Sequence, residues 1–476
     1  MACSRCFSDL PGPALVDTLS FISHAAKRIE SYGMVCRAWH ATLTEDLSWK
    51  HLCKSHWYAT ECRIKEWPTL TPKGLYQALE LWAPLEGYYV FTPAFPWGLL
   101  VLIRITSGRV VADVLRFLPN RAGKFVEMNV PLFRVDLSEE DGSRVRSSIE
   151  ACWANAGEDR ALTISACDTS STRARTEARG FFTEQAMKTL LPNRRILRLQ
   201  REGAHELDEP DEAQLVAKAE DPWDPDDFPW SDVSAAMMRT EEMLHSMCGV
   251  DRAPCDLMLI SSPADWVPQD ASQPQMRRGL YVGDYGHRYY GQYRTEVLLL
   301  EYVEMTIQEI RQELVCPRKV FQRGSDEQYP APRELQALCE LDCDACFTFM
   351  KVVKQCGDIH VPMGATTFVA LCGPQLACDA LTGQKSPPTH LENRQTRQWE
   401  PVLRAWRGFG TLARPGFFGP NWEKGWLAQL PSDPETGDDR FGFMWEGMQD
   451  AVVLCWVAAQ DSCPFLQRSW LPEDLQ

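Results

Sequence analysis

Two hydrophobic periods divide the chain. Near the N-terminus, apolar residues recur at helical spacing, as in Leu15, Leu19 and Ile22 and again in Val35 and Trp39. Stripes of this kind predict short amphipathic helices that bury one face. From residue 88 onward the pattern changes to short runs rich in β-branched and aromatic residues, separated by glycine-containing turns, which predicts strands. The order indicates a helical N-terminal unit followed by a β-rich region.

The strand pattern is clearest in "LLVLIRITSGRVVADVLRF", where Ser107-Gly108 separates two β-rich runs and predicts a hairpin. "PLFRVDL" and "ALTISAC" predict further strands, and strand–turn–strand patterns return between residues 278 and 457. In the late segment "DDRFGFMWEGM", aromatic side chains alternate, so Phe441, Phe443 and Trp445 are predicted to share the interior face. Residues 304–345 and 373–400 are interpreted as insertions between strands. This succession is typical of an antiparallel barrel or sandwich.

Charge and composition narrow the classes of partner. The 476-residue chain has a formal net charge of −16, which disfavours nucleic acid or an anionic membrane as its main partner. No apolar run approaches the ~20 residues of a membrane-spanning helix. "MACSRCFSDLPGPAL" lacks a basic region followed by an apolar stretch, so no secretory signal is predicted. The 18 cysteines are scattered, which favours reduced thiols in a cytoplasmic or nuclear protein.

The sequence contains none of the common catalytic motifs G-x-S-x-G, H-E-x-x-H or the P-loop. "GFGTLA" imitates a dinucleotide-binding turn, but no helical pattern follows it. We therefore expect a protein that is not an enzyme and that needs no cofactor.

The cysteines around residues 339–356 leave two interpretations open. Cys339, Cys343, Cys346 and Cys356 could form a tetrahedral zinc site together with His360. A second C-x2-C pair is missing, however, and the first three cysteines also fit one face of a helix. We therefore predict that metal is absent, or that it is structural and peripheral.

The N-terminal segments "DLPGPALVDTLSFI" and "YGMVCRAWHATLTEDLSWKHLC" resemble an F-box. The resemblance implies binding to the Skp adaptor of a cullin–RING ubiquitin ligase. A unit this small leaves an apolar face that a partner must cover. The predicted adaptor-binding residues are Leu10, Pro11, Leu15, Leu19, Ile22, Val35 and Trp39.

The remainder resembles the family of F-box only protein thirty-one, which joins an F-box to a C-terminal β-barrel that binds cyclin D. The matching segments are "LWAPLEGYY", "PLFRVDL", "GLYVGDYGHRYYGQYRTEVLLLEY", "KQCGDIHVPMGATTF" and "DDRFGFMWEGM". A similar barrel occurs in plastid singlet-oxygen response proteins without an F-box. That alternative is weakened because no transit-peptide-like leader precedes the F-box segment.

The resemblance implies a substrate-recognition subunit of a Skp–cullin–F-box ligase, with the barrel binding a degron such as a C-terminal tail. The candidate substrate-binding residues are Tyr285, Asp358, Pro362, Arg440, Phe441, Phe443 and Trp445. Arg440 could instead form a structural salt bridge with Asp438 or Asp439. The alternative function is a barrel that senses a small molecule or redox state without a ligase role.

The predicted fold class is α+β, with a small N-terminal helical F-box followed by an antiparallel β-barrel with helical and loop insertions. The predicted division is an F-box at 8–57, a helical linker at 58–87, the first part of the barrel at 88–200, an acidic insertion at 201–277, the second part of the barrel at 278–460 and a C-terminal tail at 461–476. We expect residues 80–140 and 278–457 to form one closed unit.

Overall fold

A computed structural model describes most of the β-rich region and part of the helical one. The described residues are 37–57, 67–91, 99–106, 109–119, 125–140, 144–151, 162–167, 196–201, 255–261, 276–284, 295–310, 346–356, 361, 363–372, 386–394, 396–414, 418–448 and 450–456. Within these ranges no helix is long and apolar enough to cross a membrane.

Among the described residues, three helices precede the first strand: α1 (Arg37–Thr44), α2 (Asp46–Trp57) and α3 (Pro72–Trp82). Thr71 caps α3, since its hydroxyl accepts a hydrogen bond from the Gly74 N–H. A short 3₁₀ helix, Ala83–Leu85, follows α3 and leads into the first strand. The α2 and α3 helices pack through a buried contact between the rings of Trp49 and Tyr76.

Strands of the first sheet all pair antiparallel, in the order β5-β4-β3-β2-β1-β8-β7-β6. Their bounds are β1 Gly87–Phe91, β2 Leu99–Thr106, β3 Arg109–Pro119, β4 Phe125–Glu140, β5 Arg144–Ala151, β6 Leu162–Cys167, β7 Ile196–Arg201 and β8 Cys255–Ser261. The predicted hairpin is confirmed, because Thr106 of β2 pairs with Arg109 of β3. The strands predicted in "PLFRVDL" and "ALTISAC" are β4 and β6.

The second sheet closes into an eight-stranded antiparallel barrel, because its last strand, Asp450–Trp456, pairs with its first strand, Gly279–Asp284. Its strands are β9 Gly279–Asp284, β10 Thr295–Thr306, β11 Cys346–Cys356, β12 Thr366–Leu371, β15 Arg404–Arg414, β16 Phe418–Leu430, β17 Arg440–Trp445 and β18 Asp450–Trp456. A short helix, α4 (Ile307–Ile310), follows β10. A small hairpin of β13 (His390–Asn393) and β14 (Trp399–Pro401) attaches to β18 through parallel pairing of β13.

The prediction that residues 80–140 and 278–457 form one closed unit is wrong. The strands within 88–200, expected as the first part of the barrel, lie in the first sheet, and β8 shows that the predicted acidic insertion at 201–277 contributes a strand to that sheet. The physical reason is that the β18–β9 pairing alone removes the edges of the barrel, so no N-terminal strand is needed to satisfy them.

The interior of the barrel is a packed aromatic core. Side chains from all eight strands meet there, and Phe441, Phe443 and Trp445 are among them, as the alternation predicts. The Phe443 ring stacks on Phe368 with ring centroids 4.2 Å apart. Met444 packs instead on the outer cluster beneath the small hairpin.

Glycines on β15 and β16 make room for these rings. A Cβ on Gly410 would lie 2.6 Å from Trp445 Nε1, and one on Gly425 would lie 2.6 Å from Phe443 Cζ. "GFGTLA" therefore lies in a barrel strand, as its lack of a following helical pattern indicates. Its glycines accommodate aromatic rings.

The first sheet contacts the outside of the barrel near the end of β11. The Cys356 thiol accepts a hydrogen bond from the backbone of Leu100 in β2 and lies near Arg116 of β3. Cys356 lies opposite Val297 in the β10–β11 pairing. Because Val297 is next to the inward-facing Leu298, Val297 and Cys356 face the outside of the barrel. The two sheets therefore meet at the β10–β11 wall.

Candidate protein-docking site

Arg440 stands at the start of β17 and connects the barrel to the β13–β14 hairpin. Its two terminal nitrogens donate to both oxygens of Glu400 in β14, each at 2.9 Å. Asn393 Nδ2 of β13 donates to the same carboxylate at 2.8 Å. Such a bidentate pair fixes geometry as well as charge. Arg440 therefore holds the hairpin against the barrel.

The predicted pairing of Arg440 with Asp438 or Asp439 is wrong. Asp439 instead pairs with Arg277, at 3.3 Å. Arg440 points across the sheet toward Glu400, and its side chain also hydrogen-bonds the Cys455 thiol of the neighbouring strand β18. Although burial lowers the pKa of Arg440, the hydrogen bond and charge of Glu400 outweigh it and raise that pKa. The guanidinium stays charged.

The outer face of the hairpin is exposed and apolar at two points. Glu400 and Leu391 face the barrel, whereas Trp399 and Pro401 point away from it. Trp399 is 61% exposed, and Leu403, just beyond β14, is 63% exposed. We call the exposed surface formed by His390, Trp399, Pro401, Leu403 and Arg404 the hairpin face.

The predicted substrate-binding residues on β17 divide into two groups. Phe441 and Phe443 have no exposed surface, and Trp445 has little, so these three side chains form the barrel core. Arg440 lies beside the hairpin. That these residues contact a substrate stays a prediction, and the structure places the three aromatic side chains in the barrel core.

Several predicted residues lie outside the described part of the chain. For the substrate site these are Tyr285, Asp358 and Pro362, and for the adaptor site Leu10, Pro11, Leu15, Leu19, Ile22 and Val35. The predicted C-terminal tail, 461–476, lies outside it as well. Trp39 lies in α1, within the helix predicted for it.

A charged pair occupies the barrel interior at the end where β10 begins. Lys354 Nζ lies 2.8 Å from Glu296 Oε1, and each side chain is 2% exposed. Lys354 lies opposite the inward-facing Leu298, and Glu296 lies two residues before Leu298 on β10. Both side chains therefore face the barrel interior. Burial of two charges is tolerated only when they are paired.

The other end of the barrel is closed by the segment before β9. The hydroxyl of Tyr302 donates to the carbonyl oxygen of Met276, and that of Tyr281 donates to the carbonyl oxygen of Arg277. Met276 is buried in the aromatic core, and the Arg277 guanidinium lies over the Trp456 ring. Met276 and the two tyrosines therefore cover this end of the described barrel.

Positions and thiol pKa values of three described cysteines bear on the metal and redox interpretations. Cys346 and Cys356 begin and end β11, so roughly 33 Å of strand separates them and they cannot share one metal ion. Cys339, Cys343 and His360 lie outside the described residues, and those described contain no cluster of three metal-binding side chains. Desolvation raises the pKa of both Cys53 and Cys356 to about 12, so little thiolate forms at neutral pH.

Comparison with known proteins shows what the barrel region is similar to. Residues 264–455 match the family described as the cyclin D1 binding domain. The match covers the strands from β9 to β18 almost entirely, and it confirms the resemblance predicted for the C-terminal part. The chain is also 33% identical over 112 residues to Protein EXECUTER 2, chloroplastic, of Oryza sativa subsp. japonica. That similarity covers 23% of this chain and only 16% of the relative.

The sequence interpretation missed the residues that shape the hairpin face. Glu400, Asn393 and Trp399 lie in the segment interpreted as an insertion. Two signals were available in "HLENRQTRQWEP": the alternation of Leu391 and Asn393, and a tryptophan followed by an acid and a proline. β13 has four residues and β14 has three, so their alternation of buried and exposed positions is too short to distinguish them from a loop.

Proposed function

We propose that this protein is the substrate-recognition subunit of a Skp–cullin–F-box type ubiquitin ligase. The barrel binds a protein substrate, and the N-terminal helical unit binds the Skp adaptor. The observation that carries the proposal is the match of residues 264–455 to a cyclin D1 binding domain, because that region coincides with the closed barrel. By analogy with the name of that family, cyclin D1 is the first substrate to test.

The N-terminal assignment rests on the F-box resemblance. The α1 and α2 helices occupy its C-terminal half, and Trp49 and Leu52 of α2 are buried. Leu47 on the same helix is exposed, and it is a surface that a partner could cover. The adaptor-binding residues Leu10 and Pro11 precede these helices.

A receptor of this kind performs no bond chemistry. It raises the local concentration of a substrate lysine near the ubiquitin-loaded enzyme, which is an effective-concentration effect. Such a receptor therefore needs two independent binding surfaces and no catalytic residues. We expect the protein to act in the cytoplasm or the nucleus, where the cullin–RING machinery operates.

Co-elution with the purified Skp adaptor tests the first surface. We expect the full chain to elute with the adaptor, and Leu10→Ala together with Pro11→Ala to abolish co-elution, since these apolar side chains would be buried in the contact. Leu81→Ala is the matched control, because Leu81 is exposed on α3 and lies outside the F-box segment. Undiminished co-elution of the double variant would reject the adaptor assignment.

Titration with purified cyclin D1 tests the second surface. We expect saturable binding to the full chain that does not require Leu10 or Pro11. A chain that binds the adaptor but shows no affinity for cyclin D1 would keep the ligase assignment and remove this substrate. Absence of both adaptor co-elution and cyclin D1 binding would refute the proposed function.

A further inference from the structure

We propose that the hairpin face is a docking surface for an extended, acidic segment of a protein partner that carries an aromatic or aliphatic side chain. The inference rests on the proposed protein-binding function of the barrel, and it assigns the surface and the chemistry of the segment. Four features of the described residues support it: exposed apolar area, an open strand edge, local charge and rigid attachment.

Exposed apolar area is concentrated on this hairpin. Trp399 and Leu403 are the two most exposed large apolar residues among the described part of the barrel region. They lie four residues apart on the same chain segment, so one extended peptide can contact both. Buried tryptophan anchors are a frequent source of binding energy at protein interfaces.

The backbone of β14 can extend the sheet by a further strand. The Asn393 N–H donates to the Gln398 carbonyl, and the Val402 N–H donates to the Thr389 carbonyl, so the backbone groups of Gln398 and Val402 face β13. Alternation then turns the N–H and carbonyl of Trp399 outward. Among the described strands β14 pairs with β13 alone. A partner segment can therefore add by strand pairing, with Trp399 supplying both a donor and an acceptor.

Local charge selects an acidic segment. Three arginines with at least partly exposed side chains, Arg394, Arg397 and Arg404, lie in the stretch 386–406 beside two glutamates, in a chain whose net charge is −16. Glu400 is engaged by Arg440, and Glu392 lies 3.6 Å from Arg397. The exposed side chain of Arg404 lies beside Leu403, with its guanidinium over the Trp406 ring. Opposite charge steers association and disfavours basic competitors.

Rigid attachment lowers the entropic cost of binding. Besides the Arg440–Glu400 contact, the Arg394 N–H donates to the Ala451 carbonyl, and the Leu403 N–H donates to the Gln429 carbonyl of β16. These bonds hold both ends of the hairpin on the barrel. A preformed edge costs less to order on binding than a free loop.

Display selection tests the inference with a defined probe. The purified full chain is used to select from a random library of 12-residue peptides, and the recovered peptides are titrated against variants. We expect them to be acidic, with one aromatic or aliphatic anchor. Trp399→Ala should weaken their binding at least tenfold, and Arg404→Glu should weaken it at least threefold and reduce its salt dependence.

Leu412→Ala is the matched control, because Leu412 is an exposed leucine on β15 outside the hairpin. Unfolding midpoints of all variants check that the barrel is intact. Recovery of no peptides, or of peptides whose binding is unchanged by Trp399→Ala, would overturn the inference. Cyclin D1 binding that ignores Trp399 would overturn it while leaving the proposed function intact. Peptide binding that depends on Trp399, in a chain that binds neither the adaptor nor cyclin D1, would support the docking surface and refute the proposed function.

Discussion

Lys354→Met is expected to destabilise the barrel more than any exposed charge substitution. The change removes the cation beside Glu296 in the barrel interior, where both side chains are almost fully buried and their charged atoms lie 2.8 Å apart. Removing one partner of a buried ion pair leaves a desolvated charge and costs about 3–5 kcal/mol. This is a large part of the roughly 5–15 kcal/mol that stabilises a typical domain.

The matched control is the pair Arg109–Asp136, which joins directly opposed residues of β3 and β4 at 3.2 Å. Both side chains are about half exposed, so solvent screens the interaction and Arg109→Met should cost at most about 1 kcal/mol. Replacing both buried partners, as Lys354→Met with Glu296→Leu, should recover much of the loss because no charge is left buried.

Urea denaturation followed by tryptophan fluorescence measures these differences, since Trp445 and Trp456 belong to the barrel core. The midpoint should fall strongly for Lys354→Met and partly recover in the double variant, with an unchanged slope. Equal midpoints for Lys354→Met and Arg109→Met, or a double variant no more stable than the single one, would refute the reasoning that the pair is a buried structural element.

Three further predictions concern the hairpin and the barrel glycines. Arg440→Ala should loosen the hairpin and speed proteolysis within it. Arg440→Lys should restore little, because an ammonium cannot reproduce the bidentate contact, and cleavage of Arg440→Ala at the rate of the unaltered chain would contradict this. Gly425→Ala should lower the unfolding free energy by about 1–3 kcal/mol through overlap with Phe443, and an unchanged midpoint would show that the ring has room. Arg397 has a φ of 61°, so Arg397→Gly should raise the midpoint by relieving about 1–2 kcal/mol of left-handed strain, and a lower midpoint would disprove the strain.

The late strands of the barrel could be predicted from the sequence because their determinants are local. Along β17, Phe441, Phe443 and Trp445 alternate with Gly442 and Met444, and period-2 alternation decides which side chains face the core. Phe441, Phe443 and Trp445 therefore lie inside, as predicted. The hairpin at Ser107-Gly108 was predictable for the same reason, since a two-residue turn fixes the pairing of the strands beside it.

The pairing of distant strands could not be predicted. β8 joins β1 to β7 across a long stretch of chain, and nothing in its local pattern records which edge it meets. The partner of Arg440 was missed for a similar reason, because Glu400 lies 40 residues earlier, whereas the nearby acids were the obvious local choice. Contacts between residues distant in sequence depend on the order in which the strands pair. That order also places the first eight strands in a sheet separate from the barrel.

A reconstituted ubiquitin-transfer reaction tests the central claim most directly. Purified cullin–RING ligase, Skp adaptor and cyclin D1 are combined with and without the full chain, and the rate of cyclin D1 ubiquitination is measured. We predict a rate that depends on the chain, falls to background with Leu10→Ala and Pro11→Ala, and is unchanged with Leu81→Ala. A rate that is the same without the chain, or that persists in the double variant, would contradict the account of this protein as a substrate receptor.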